Sequence, residues 1–121
     1  DALPIFVYDS VGKDTWEASL DCLQRRGLMV SFGNSSGPVT GVNLGILNQK
    51  GSLYVTRPSL QGYITNREEL EEACSELFSL IASGVIKVDV AESQIYPLSE
   101  ARRAHEVLES RVTQGSSLLL P

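Results

Sequence analysis

The sequence predicts an α/β chain, half of a doubly wound parallel sheet followed by a segment of different architecture. Three observations carry this. Ile5 to Tyr8 and Leu28 to Phe32, the latter with Ser31 as its one polar residue, form continuous apolar runs, the pattern of strands in a parallel sheet covered on both faces. Between them Trp16, Leu20 and Leu23 recur at helical spacing, so the unit is strand, helix, strand with a right-handed crossover. From Val85 to Val90 the pattern changes to alternation, which belongs to a half-exposed strand of an antiparallel sheet.

The elements follow in order. The first strand ends in turn chemistry at Asp9, Ser10, Val11 and Gly12. Asp14 with Glu17 three residues on has the form of a capping box and predicts a helix of about three turns, closed by Gly27. The second strand stops at Gly33, Asn34, Ser35, Ser36, Gly37 and Pro38, a stretch unable to continue a ladder. Val42 to Leu47 predicts a short helix, and Leu53 to Thr56 a third strand stopped by Pro58. Asn66, with Glu69 three residues later, caps the strongest helix, whose stripe is Leu70, Ala73, Cys74, Leu77, Leu80 and Ile81, and Gly84 ends it. Pro97 and Ser99 introduce a last helix to about Ser110, and Ser116 to Leu120 predict a terminal strand. The boundary falls near Leu60, giving segments 1–60 and 61–121.

Composition narrows the function classes. Of 121 residues, 42% are apolar, enough for a real core. Fifteen acidic against ten basic side chains give a net charge of -5, so no broad basic face is expected for nucleic acid. No apolar run approaches the roughly 20 residues that cross a bilayer. The chain therefore reads as soluble and cytoplasmic, with no membrane partner. Cys22 and Cys74 fall on apolar helical stripes and read as buried free thiols. The chain opens at Asp1 without Met and runs almost directly into a strand, so truncation is expected.

Three stretches together carry a likeness: V-Y-D-S-V-G at Val7 to Gly12, G-L-M-V-S-F-G-N-S-S-G at Gly27 to Gly37, and Y-P-L-S-E-A-R-R-A-H-E-V-L-E-S-R at Tyr96 to Arg111. They resemble the quinone oxidoreductase branch of the zinc-free medium-chain dehydrogenase/reductase superfamily, the group that includes zeta-crystallin. The likeness covers about Phe6 to Pro121. It departs at Asp1 to Ile5, which match nothing, and at Ser116, where many relatives carry Lys. The resemblance implies that residues to about 60 are the second half of a Rossmann sheet binding NADPH, and that the rest is the carboxy-terminal return segment of a GroES-like substrate lobe. The glycine-rich pyrophosphate loop belongs to the first half of such a fold, and no G-x-G-x-x-G occurs here. The chain alone is therefore expected to be inactive, as part of an enzyme passing hydride from NADPH to a quinone.

A dinucleotide lies across the carboxyl ends of parallel strands, so the loops leaving each strand are the physical candidates for contact. These are Ser10 to Gly12, Phe32 to Ser35 and Pro58 to Leu60. Glycines let backbone approach a flat ring, and Ser and Asn offer donors and acceptors to ribose and carboxamide groups. The resemblance points to the same loops, implying Ser10, Phe32, Gly33, Asn34, Ser35, Pro58, Ser59 and Leu60 as cofactor contacts, with Arg111 from the final segment. On its own, Arg111 reads equally as a solvated charge at a helix end. His105 reads as a packing or capping residue, and one His with two separated Cys gives no zinc ligand set. No catalytic acid or base is assigned.

The strand Leu53, Tyr54, Val55 is the last of its sheet, and relatives dimerise by pairing such edges. A homodimer is thus expected of the parent, and self-association of the shorter chain. Two alternatives stay open. One is another zinc-free enone or enoyl reductase, the other a non-catalytic structural or dimerisation module.

Overall fold

Three short strands, β1 (Phe6–Asp9), β2 (Leu28–Ser31) and β3 (Tyr54–Thr56), pair in parallel in the order β1-β2-β3. Phe6 lies opposite Leu28 and Leu28 opposite Tyr54, so all three carboxyl ends meet one edge of the sheet. The computed structural model describes residues 3–121; Asp1 and Ala2 lie outside the described residues. The chain forms two compact units, one ending at Glu69 and the other spanning Leu70–Pro121.

In the first unit the crossovers carry helices α1 (Trp16–Asp21) and α2 (Gly45–Gln49). Their apolar side chains meet the sheet around Leu20, Leu23, Met29 and Leu53, all buried, with Val7, Trp16, Ile46 and Leu47 packed against them. Each buried Leu or Met contributes about 2 kcal/mol. Successive burial holds for the central strand, where Met29 and Val30 are both covered. It fails at the edges: Phe6 and Tyr8 are 52% and 71% exposed, and all of β3 is open. An edge strand lacks a neighbour to shield its outer side, which the apolar run alone does not reveal.

Helix α1 differs from its expected form. It has six residues, not three turns, and Asp14 and Glu17 make no capping box. The cap position is Thr15, while the Asp14 N–H donates to Ser36 Oγ at 3.0 Å. The helix stops because neighbouring segments take the following donors: Gln24 N–H goes to Pro4 O and Arg26 N–H to Gly51 O. Cys22, expected to be buried, is consequently exposed just past the helix end.

Helix α3 (Arg67–Ala82) starts where the sequence places it, with Asn66 capping it and Glu69 reaching one residue beyond the cap. Asn66 Oδ1 accepts the Glu69 N–H at 2.9 Å, and the Glu69 carboxylate returns to the Thr65 N–H and hydroxyl, both at 2.7 Å. Gly84, at φ +77°, ends it, with its N–H on Ile81 O. Those hydroxyl and amide donors at Thr65 hold the Glu69 carboxyl below its ordinary value.

In the second unit, β4 (Ile95–Pro97), α4 (Ala101–Glu109) and β5 (Leu118–Leu120) follow. The expected strand Val85 to Val90 is not formed. Among the described residues only Val90 bridges, antiparallel, to Gly115, and Val85 and Val88 are exposed. Alternation marks a segment that would show two faces, but a strand needs a partner to fill its ladder. The terminal strand is present, and it pairs in parallel with β4, a strand the sequence pattern did not disclose. Buried Gln94 holds that pair's approach: its Nε2 donates to Ser116 O at 3.0 Å and its Oε1 accepts the Gln114 N–H at 3.0 Å.

Candidate functional site

The site is built at the end of β1, where the strand's last residue is a carboxylate. Asp9 is 4% exposed and its carboxylate accepts four hydrogen bonds. Its Oδ1 takes the N–H groups of Val11 and Gly12 at 2.8 and 2.9 Å, folding the next residues into a tight turn. Its Oδ2 takes the hydroxyls of Thr15 and Ser19 at 2.6 and 2.7 Å, tying the turn to α1. Burial pushes the Asp9 carboxyl up. The donors outweigh it, first Thr15 and Ser19, then Gly12 and Val11, and hold it at about 2.

The first two loops then lock together through backbone. Ser10 O accepts the Ser35 N–H at 3.3 Å, and Val11 O accepts both the N–H of Ser36 at 2.9 Å and its hydroxyl at 2.7 Å. Lys13 N–H reaches Gly37 O at 3.1 Å. Ser36 bonds across this seam by its side chain, but at two glycines there is no room for one. A Cβ on Gly33 would lie 2.5 Å from Ser10 O, and one on Gly12, at φ +89°, 2.6 Å from Gly37 O.

The expected contact residues fall as follows. Ser10, Gly33 and Ser35 are brought into direct contact, and Phe32 joins them through its N–H on Asp9 O at 2.9 Å. Asn34 stands in the same loop, its carbonyl accepting the Gly37 N–H. Pro58, Ser59 and Leu60 leave the carboxyl end of β3, which lies alongside β2, and Arg57 Nη1 donates to Pro58 O at 2.8 Å. Arg111 belongs to the second unit, is exposed, and follows α4 at φ +62°. His105 lines a cavity of about 140 Å³ with Ala104, Leu108, Ser117 and Leu119.

These residues fit a dinucleotide. Ser10, Asn34 and Ser35 are exposed hydrogen-bonding groups beside Phe32, which is 49% exposed and offers a flat apolar surface. Asp9, Thr15, Ser19 and Ser36 were not among the expected site residues. The available signal was an Asp closing an apolar strand ahead of Ser-Val-Gly, the form of a side chain that bonds the backbone two residues on. Thr15 at the helix cap and Ser19 four residues on, one turn above it, were the second half of that signal.

Comparison with known proteins supplies the family. A family model described as zinc-binding dehydrogenase matches residues 6–119. Quinone oxidoreductase of Salmonella typhimurium is 89% identical over 115 residues, which are 95% of this chain and 35% of that protein. The crystal structure of Escherichia coli quinone oxidoreductase complexed with NADPH superposes with a TM-score of 0.87 at 86% identity, covering 96% of this chain and 36% of that one. A 2-haloacrylate reductase of a Burkholderia species is 44% identical over 95% of this chain and 34% of its own length. The chain thus spans about a third of the length of the relatives it matches. The family's description names zinc; among the described residues no three His, Cys, Asp or Glu side chains group to hold a metal. Also among the described residues, no helix is long and apolar enough to cross a membrane. A parallel sheet whose strand-end loops are sealed by glycines, matched by that family model over nearly all its length, makes this chain a member of the zinc-binding dehydrogenase family.

Proposed function

We propose that the chain is the carboxy-terminal third of a cytoplasmic quinone oxidoreductase, contributing half of the NADPH site. The observation that carries this is the likeness, at 86% identity, to a protein crystallised with NADPH, joined to exposed loops of matching chemistry at the strand ends. In this reading residues 1–60 are the second half of the Rossmann domain and 61–121 return to the substrate lobe. Ser10, Phe32, Gly33, Asn34, Ser35, Pro58, Ser59, Leu60 and Arg111 hold the cofactor. NADPH supplies the hydride; the protein orients the nicotinamide against a flat quinone and keeps water away. Pairing of Leu53, Tyr54 and Val55 across a two-fold axis joins two copies.

The 2-haloacrylate reductase relative favours a second reading, in which the same half-site serves reduction of an activated carbon–carbon double bond. One set of measurements separates them. Titrating NADPH, followed by its fluorescence, into this chain and into the longer protein is expected to show binding only by the longer one. Its turnover is then compared on quinones and 2-haloacrylates. Absence of NADPH binding by the longer protein overturns both readings and leaves a structural module.

A further inference from the structure

We infer that Asp9 is a positioning residue for the nicotinamide nucleotide, setting the separation of the two loops that meet it without touching it. This inference rests on the function proposed above. Its geometry is a chain of short contacts beginning at one buried carboxylate. Through Oδ1 Asp9 fixes the N–H groups of Val11 and Gly12, so the peptide planes of Ser10 to Gly12 have one orientation. That orientation aims the Ser10 and Val11 carbonyls at the second loop, where they accept the N–H groups of Ser35 and Ser36. It also lays Gly12 close against the Gly37 carbonyl.

The other oxygen does a separate task. Oδ2 is held by Thr15 at the cap of α1 and by Ser19 within it, so the carboxylate cannot rotate away and release the turn. All four donors lie on the protein side, and Asp9 itself is buried, so no lone pair is presented to a ligand. An acceptor used wholly on its own chain, one residue before an exposed Ser10, acts through Ser10 to Gly12 and Phe32 to Ser35. The Phe32 N–H on the Asp9 carbonyl ties the start of the second loop to the same residue from the backbone side.

The test uses the longer protein carrying Asp9→Ala, Asp9→Asn, and the pair Thr15→Val with Ser19→Ala. Asn keeps an oxygen for the two N–H groups and an amide for the two hydroxyls, so it is expected to bind NADPH within about threefold of the unaltered protein. Ala leaves the loop donors unpaired and is expected to raise the NADPH Kd and KM by about tenfold while kcat per folded enzyme stays near its starting value. A purely structural Asp9 would instead lower the active fraction and leave KM unchanged. Where Asp9→Ala does not fold, the hydroxyl pair decides, with an expected rise in KM of about threefold. Unaltered protein that binds NADPH, together with an Ala or hydroxyl-pair variant of unchanged KM, overturns the role of Asp9 and leaves the proposed function standing. Unaltered protein that fails to bind NADPH overturns the proposed function, and the role of Asp9 with it.

Discussion

Asp9 shows how one side chain ties a strand end to the turn and the helix that follow it. Its carboxyl is held at about 2 against an ordinary 3.8, the four donors outweighing burial. A folded-state value below the unfolded one stabilises above pH 4 or so, and that stabilisation is lost as pH falls from 3.8 toward 2. The amount at stake is about 2 kcal/mol. Following the Asp9 carboxyl carbon by NMR between pH 1.5 and 6 is expected to give a midpoint near 2. Replacing Thr15 by Val and Ser19 by Ala removes half the donors and leaves burial, so the midpoint moves upward; an unmoved midpoint would mean the hydroxyls do not hold the charge. The sequence made this residue legible only as turn chemistry. Which donors surround a carboxylate depends on where a helix is docked, and Thr15 and Ser19 reach Asp9 only because α1 lies against the end of β1.

The elements were legible where a local signal suffices and obscure where a partner decides. Asn66 and Glu69 announce the start of α3 in four residues: the Asn66 side chain takes the Glu69 N–H as that spacing requires, while the Glu69 carboxylate reaches one residue further back, to Thr65. Asn66→Ala is expected to cost about 1 kcal/mol and to fray the first turn, read as faster amide exchange at Glu68 and Glu69. The Glu69 carboxylate adds to the cap only while charged, so protection in this turn also falls as pH drops through its lowered value. Asp14 and Glu17 carry the same spacing at α1 and form nothing of the kind, because Ser36 Oγ already accepts the Asp14 N–H. A long-range acceptor competes with a local one, and spacing cannot rank them. The parallel unit of β1, α1 and β2 was readable because apolar runs and a helical stripe are both local. The pairing of β4 with β5 was not, since Ile95–Pro97 is three residues long and its register depends on chain more than 20 residues away.

At the scale of the molecule, the loops of the candidate site were legible from topology: parallel strands deliver their exits to one edge, and the glycine-rich stretch after β2 could hardly be elsewhere. The sheet also leaves both outer strands open, with Tyr8 at 71% and Tyr54 at 64% exposure. Such edges recruit another chain, so sedimentation of this chain is expected to show association rising with concentration. Val55→Lys, placing a charge on the open β3, is expected to shift that association to higher concentration; an unaltered profile would locate the contact elsewhere. The glycine seam has a different consequence, for redesign. Loops that meet at bare glycine backbone, with Ser36 as the side chain bonding across, leave no slack where the glycines stand, so neither tolerates exchange alone. Anyone grafting loops from a relative onto this sheet would have to transplant residues 9–13 and 32–37 as a single cassette, and a graft of either half is expected to fail by collision at the glycines.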